Sequence, residues 1–193
     1  MLGAGVPLKQ LELEGCMFLD GDEESALLLL PELQHLKYHQ NRSGHHIGSA
    51  SFPSCALQSM QQLTYLNLAG RVSEGSQGLR HLRGLTRLQD LWLGYGAAGA
   101  IQTSVLAGLT RLTCLRVKGL RGCSIAGGST GVERLLSNIQ QLQQLTYLKI
   151  KWTLYNGAEA VAPAEAYSAL TASSKLQHLD FSVCVLPTGA WQH

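Results

Sequence analysis

Seven times along the chain a leucine is followed, after two residues, by a second leucine and, one residue further on, by a third apolar side chain. The copies are Leu8-Leu11-Leu13, Leu33-Leu36-Tyr38, Leu63-Leu66-Leu68, Leu88-Leu91-Leu93, Leu112-Leu115-Val117, Leu145-Leu148-Ile150 and Leu176-Leu179-Phe181. Positions four and six of each phrase are apolar, whereas positions three, five and seven are mixed. That alternation marks a strand with one buried face. Successive copies open 24 to 33 residues apart, too far for hairpins and suited to a strand, a return segment and a parallel neighbour. A unit recurring on this scale buries its apolar side by stacking on the next, so the pattern predicts an α/β solenoid with one parallel sheet.

The return segments predict helices of uneven length on the other side of the sheet. Between Thr130 and Leu145, the residues Val132, Leu135, Leu136, Ile139 and Leu142 follow helical spacing, and Thr130 with Glu133 has the form of a capping box. Asp20 to Leu30 opens with acids that suit a helix N-terminus and stops at Pro31, and Ala164 to Ala172 is a shorter candidate. Leu79, Leu82, Leu85 and Leu88 fall three apart, which fits a tight turn or short helix.

The phrase resembles the leucine-rich repeat family, whose unit reads L-x-x-L-x-L-x-x-N/C-x-L. Cys16, Asn41 and Cys184 stand at the ninth position, where the other copies have Arg71, Gly96, Leu120 and Thr153. The resemblance runs from Leu8 to Val185 and is ribonuclease-inhibitor-like with irregular repeats. It implies a leucine-rich repeat solenoid, a horseshoe with a parallel concave sheet and irregular convex helices, in which Cys16 and Cys184 serve as ladder or core residues. It further implies a noncatalytic module that recognises a macromolecular partner through the concave face. The alternative it allows is a targeting or scaffold subunit, such as a ubiquitin-ligase adaptor or a cytoskeletal or axonemal component. Fold alone does not choose between them.

Composition bounds the rest. With 193 residues, 45% of them hydrophobic, the chain can bury one continuous core, and residues 1–193 are expected to form a single domain of about seven repeats. The first and last phrases lack polar caps, which suggests a fragment of a longer solenoid. No basic stretch leads into an apolar run, and the longest clean apolar run is Ala26 to Leu30. Neither a secretion signal nor a membrane span is expected, and a cytoplasmic location is the default. The five cysteines, Cys16, Cys55, Cys114, Cys123 and Cys184, are odd in number and form no close pairs. Reduced thiols suit that spacing better than a disulfide framework.

A formal net charge of +2 hides an uneven distribution. Six of thirteen acids lie in the first 24 residues, whereas Arg71, Arg80, Arg83, Arg87, Arg111, Arg116, Lys118 and Arg121 place eight of fifteen bases in the middle. Read by strand position, the outward fifth column runs Glu12, Lys37, Asn67, Trp92, Arg116, Lys149, Asp180. The third runs Gln10, His35, Tyr65, Asp90, Cys114, Tyr147, His178, and the seventh Glu14, His39, Ala69, Gly94, Lys118, Lys151, Ser182. Repeats five and six therefore set Arg116 beside Lys149 and Lys118 beside Lys151, with no acid expected among them. Like charges opposite one another on a sheet cost up to about 1 kcal/mol per pair. Such a cost, kept twice, points to a contact surface of Trp92, Arg116, Lys118, Tyr147, Lys149 and Lys151 for an acidic protein or peptide, with Tyr95 and Trp152 as further anchors. The same residues also suit a solvated face that keeps the sheet soluble. A sequence pI near 8.3 falls below the range of about 9 expected of nucleic-acid-binding domains, so nucleic acid is not the expected partner.

Three motifs invite other chemistry. Gly94-Tyr95-Gly96-Ala97-Ala98-Gly99 spells G-x-G-x-x-G after a strand and before a possible helix, Ile101 to Leu109. The next strand, however, ends Arg116-Val117-Lys118, without the acid that would hold a ribose hydroxyl. A nucleotide-binding enzyme is thus a remote alternative, and no cofactor is expected. Gly127-Gly128-Ser129-Thr130-Gly131 has the form of a nucleophile elbow, with Asp180 and His193 following in order. The repeat puts Ser129 and Asp180 on opposite sides of the sheet, so a capping role suits Ser129 or Thr130 better. His35 and His39 imitate a helical metal pair, yet on a strand four residues span roughly 13 Å, too far to share one ion. His45 and His46 have no cysteine at zinc spacing. Cys114, beside the bases, is the one thiol expected to be accessible and activated.

Overall fold

The computed structural model describes residues 7–16, 26–39, 52–69, 78–94, 103–120, 131–152, 164–171 and 173–182. Its seven strands are β1 (Gln10–Glu14), β2 (His35–His39), β3 (Tyr65–Leu68), β4 (Asp90–Leu93), β5 (Cys114–Leu120), β6 (Tyr147–Trp152) and β7 (His178–Ser182). They form one parallel sheet in chain order, each strand hydrogen-bonded to its predecessor and successor. The register is the one the phrase dictates: Leu36, Leu66, Leu91, Leu115, Leu148 and Leu179 lie opposite one another across successive pairs.

Burial follows the period of two. Leu36, Leu66, Leu91, Leu115 and Leu148 are fully buried, as are their sixth-position companions Tyr38, Leu68, Leu93, Val117 and Ile150. Each such leucine contributes about 1.5–3 kcal/mol relative to exposure. In the terminal strands Leu11, Leu13, Leu179 and Phe181 are only partly buried, since each packs against one neighbouring strand among the described residues.

The other side of the sheet carries short turns: 3-10 helices at Ser54–Gln58, Gly78–Gly84 and Ala164–Tyr167, and α-helices α1 (Thr103–Leu106), α2 (Gly131–Ile139) and α3 (Ser168–Thr171). The helix expected between Thr130 and Leu145 ends at Ile139, and Thr130 lies outside the described residues. Of the helix expected over Asp20 to Leu30, a single helical turn at 26–28 is described. The short candidate at Ala164 is a 3-10 turn running into α3. The threefold spacing from Leu79 is indeed a 3-10 helix.

That threefold spacing proves general. Each opening leucine from Leu33 to Leu176 donates its N–H to the carbonyl three residues earlier, and that residue does the same in turn. The chains Leu57-Met60-Leu63, Leu82-Leu85-Leu88, Leu106-Leu109-Leu112 and Ile139-Leu142-Leu145 are buried throughout. An i to i+3 bond eclipses side chains three apart, so all three point at the sheet. This replaces helix with a tighter turn and explains why α2 stops at Ile139. In the last repeat the column holds Ser173, whose buried Oγ finds no hydrogen-bond partner among the described residues.

Where the turn meets the strand, one carbonyl per repeat accepts two N–H groups from the next. Thr64 O takes the amides of Gln89 and Asp90 at 2.8 and 3.1 Å, and Gln89 O takes those of Thr113 and Cys114 at 2.9 and 3.0 Å. Thr64, Thr113 and Thr146 add a hydroxyl donor to the same preceding carbonyl, each at 3.1 Å. The recurrent threonine thus strengthens the seam between repeats.

If the fourth-position leucines carry the core, Leu148→Ala should lower stability by about 2–5 kcal/mol in urea unfolding, because the flanking rungs cannot close over the cavity. A variant as stable as the parent would mean that Leu148 does not face the core.

Candidate functional site

The residues assigned to a contact surface from sequence converge. Trp92, Arg116, Lys118, Tyr147, Lys149 and Lys151, together with Val117, line one depression of 360 Å³ on the open face of the sheet. Strands β4, β5 and β6 supply them through alternation alone, since Trp92, Arg116 and Lys149 are register partners, as are Lys118 and Lys151. Tyr95 lies outside the described residues, and for Trp152 only the backbone, at the end of β6, is described.

The expectation that no acid sits among these bases is overturned. Arg116 Nη1 donates to both carboxylate oxygens of Asp90, at 3.0 and 2.9 Å, and Lys149 Nζ lies 2.5 Å from Asp180 Oδ2. Reading columns one at a time hides the first pair, whereas the second lies within the fifth column. Asp90 stands in the third column and reaches Arg116 diagonally, while Asp180 is the register partner of Lys149 on the far side from Arg116. Diagonal neighbours on a sheet are within reach of long side chains. Arg116 also lies over the Tyr147 ring, 5.3 Å from its centroid, so carboxylate and ring hold it from two sides.

The pairs mark the titration of their members. Burial opposes the Arg116 charge, and Asp90, Cys114 and Tyr147 together outweigh it, leaving the guanidinium pKa raised. The hydrogen bond from Lys149, helped by Ser182, holds the Asp180 carboxyl below its ordinary range, and Asp180 raises Lys149 in return. A carboxylate lowered in this way stabilises the fold above its unfolded value, a contribution lost as pH falls through the folded one. At the other end of the sheet Lys37 bridges Glu12 at 3.2 Å and Glu14 at 2.6 Å, lowering both acids. Exposed pairs of this kind are worth little to stability individually. Their effect is to cancel charge locally.

Sequence reading missed the stacking of rings on neighbouring strands. His35 stacks on Tyr65 with centroids 4.0 Å apart, and Tyr147 on His178 at 4.6 Å, each pair within 3° of parallel. Both are register partners in the third column, a signal visible once that column is written out. Asn67 is missed as well. It faces outward by register between Lys37 and Trp92 but is 2% exposed, and its Oδ1 has no hydrogen-bond partner among the described residues.

Two cysteine expectations are corrected. Cys16 is exposed rather than a core or ladder residue. Gly15 adopts a left-handed φ of 67° just before it, turning the chain away from the strand. Cys184 lies outside the described residues. Cys114 is half-buried and its thiol is pushed up to about 11, first by burial and then by the Asp90 charge, so it is not activated.

The glycine-rich motif finds a packing role at its first position. A Cβ on Gly94 would lie 2.6 Å from the Ala69 Cα of the preceding repeat, so a side chain there would force the rungs apart. The remaining glycines through Gly99, and Gly127 to Thr130 of the elbow motif, lie outside the described residues. Asp180 of that motif is engaged with Lys149 and Ser182 on the open face. His35 is stacked on Tyr65, and no group of three potential metal ligands occurs among the described residues.

With seven registered strands, buried leucine columns and 3-10 returns established, the architecture is decided. The fold is a leucine-rich repeat solenoid. No family model matches the chain, and no curated protein does. Among solved structures it is similar to a leucine-rich repeat protein of Leptospira interrogans, 16% identical with a TM-score of 0.33, covering 93% of this chain and 50% of that one. It is also similar to an internalin of Listeria monocytogenes, 16% identical with a TM-score of 0.24, covering 84% of this chain and 65% of that one. The solenoid thus spans half the length of the first and about two thirds of the second. Among its described residues no helix is long and apolar enough to cross a membrane.

Iodoacetamide labelling tracked by mass spectrometry should leave Cys114 nearly unmodified at pH 8, with labelling climbing only as pH approaches its raised value, because the thiolate is the reactive form. Rapid modification at pH 7 in the folded protein would contradict the environment described for it.

Proposed function

We propose that this solenoid is a noncatalytic recognition module that holds an acidic protein or peptide segment on the open face of β4 to β6. One observation carries the reading: the two ring side chains and four bases of that face border a single depression. Rings supply contact area at low entropic cost, and the bases steer an acidic partner and fix its orientation. A targeting or scaffold subunit would use the same surface. A nucleotide-binding role gains no support, since the first glycine of its motif is already required where Ala69 approaches.

The test reverses charge where packing is not disturbed. Lys151 is exposed and Lys149 keeps its head at the surface, so Lys149→Glu with Lys151→Glu should leave the far-ultraviolet spectrum intact and lower the melting temperature only slightly, by loss of the exposed pair with Asp180. Partners identified by quantitative mass spectrometry after capture should be depleted by the reversal, with the larger difference at low salt, where exposed charges are least screened. An unchanged partner set would refute the proposal.

A further inference from the structure

The residue just before each opening leucine forms a column of its own, along the rim where the strands begin. From the second repeat on it runs Glu32, Gln62, Arg87, Arg111, Gln144, Lys175. Within this column a base reaches back to the amide oxygen of the preceding repeat: Arg87 Nη1 donates to Gln62 Oε1, and Lys175 Nζ to Gln144 Oε1 at 2.5 Å. Arg111 instead follows another arginine and has no acceptor behind it. Rungs lie about 5 Å apart, so Arg87 and Arg111 are like charges on adjacent rungs of an exposed rim. Arg83 joins them from the side. It packs against Gly108 of the next turn, where a Cβ would come 3.0 Å from Arg83 Cγ and 2.3 Å from its carbonyl oxygen. Gly108 precedes Arg111 by three residues in a turn closed by i to i+3 bonds, which eclipse side chains at that spacing.

The described residues from 52 to 120 contain one acid, Asp90, and Arg116 holds it on the open face. Arg83, Arg87 and Arg111 form no ion pair among the described residues. Beside them Thr86 and Thr110 are exposed, and each hydroxyl can donate a hydrogen bond. We propose that this rim is a second recognition site, separate from the open face, that binds a phosphate monoester on a phosphorylated protein segment. Arg87 and Arg111 grip the group from adjacent rungs, Arg83 closes on it from the side, and the two threonines add hydroxyl donors. All three bases are arginines, whose planar fork matches phosphate oxygens in pairs. A phosphate monoester brings nearly two charges and three acceptor oxygens to them, whereas a carboxylate brings one charge. A lipid surface suits the rim less, because the exposed large apolar side chains among the described residues, Leu8, Leu28 and Leu29, all precede β2 and leave the rim nothing to insert. A nucleic-acid strand suits it less as well. The described turns at 78–89 and 103–113 hold no Phe, Tyr or Trp on which a base could stack.

A Gly/Ser decapeptide carrying one phosphothreonine tests this on the intact chain. In NMR titrations it should shift the arginine side-chain Nε resonances of Arg83, Arg87 and Arg111 saturably and leave that of Arg116 in place. By fluorescence anisotropy it should bind about tenfold more tightly than the same peptide with Thr or with Glu at that position. Arg87→Gln with Arg111→Gln should reduce its binding to that of the Thr peptide. Arg87→Lys with Arg111→Lys, which keeps the charge and loses the fork, should weaken it by about fivefold. Lys149→Glu with Lys151→Glu should leave it unchanged, so that rim and open face are tested apart, and circular dichroism melts accompany each variant. Equal binding of the phosphothreonine and Glu peptides, full affinity in the lysine variant, or shifts shared equally by Arg116 would overturn the inference. So would phosphatidic acid vesicles or an oligothymidylate that bound more tightly than the phosphopeptide and lost that binding in the glutamine variant, since the rim would then serve lipid or nucleic acid.

Discussion

Everything on the open face depends on leucines stacked in columns behind it. Leu66, Leu91, Leu115 and Leu148 lie opposite one another and are fully buried, and a strand shifted by one residue would send each of them to solvent. The same shift would turn Trp92, Arg116 and Lys149 inward, where unpaired charge is costly. One constraint therefore fixes both core and surface. The paired carbonyls at each seam and the threonine hydroxyls that join them hold the spacing, and Gly94 permits the closest approach.

Most of the fold was legible because both of its periods are written in the sequence. The strand phase follows from alternation, and the register from the copies being in phase. The return segments were less legible. Their apolar residues at spacings of three and four satisfy helix and 3-10 turn alike over short stretches, and the continuation Leu57-Met60-Leu63 or Leu106-Leu109-Leu112 decides it only when aligned across repeats. The ninth-position ladder misled at Cys16, because a left-handed glycine redirects the chain one residue earlier.

At the site, membership of the surface was readable and its electrostatics were not. Column reading places Arg116 beside Lys149 and Lys118 beside Lys151, yet it treats strands as straight rows. Long side chains bridge rows, so Asp90 reaches Arg116 from another column and Asp180 ties Lys149 from the outer strand. The consequence extends to Cys114, whose thiol is disfavoured as an anion first by burial and then by the acid that stabilises Arg116. A cluster that looks uniformly basic in one dimension proves in three to hold two balanced pairs, Arg116 with Asp90 and Lys149 with Asp180, beside the rings.

Methyl-to-methyl contacts measured by NMR on leucine-labelled protein test the central claim most directly. Adjacent-rung stacking predicts cross-peaks for Leu66 with Leu91, Leu91 with Leu115, and Leu115 with Leu148, and none for Leu66 with Leu148. Cross-peaks joining distant rungs in place of adjacent ones would contradict the stack, and with it the surface it presents.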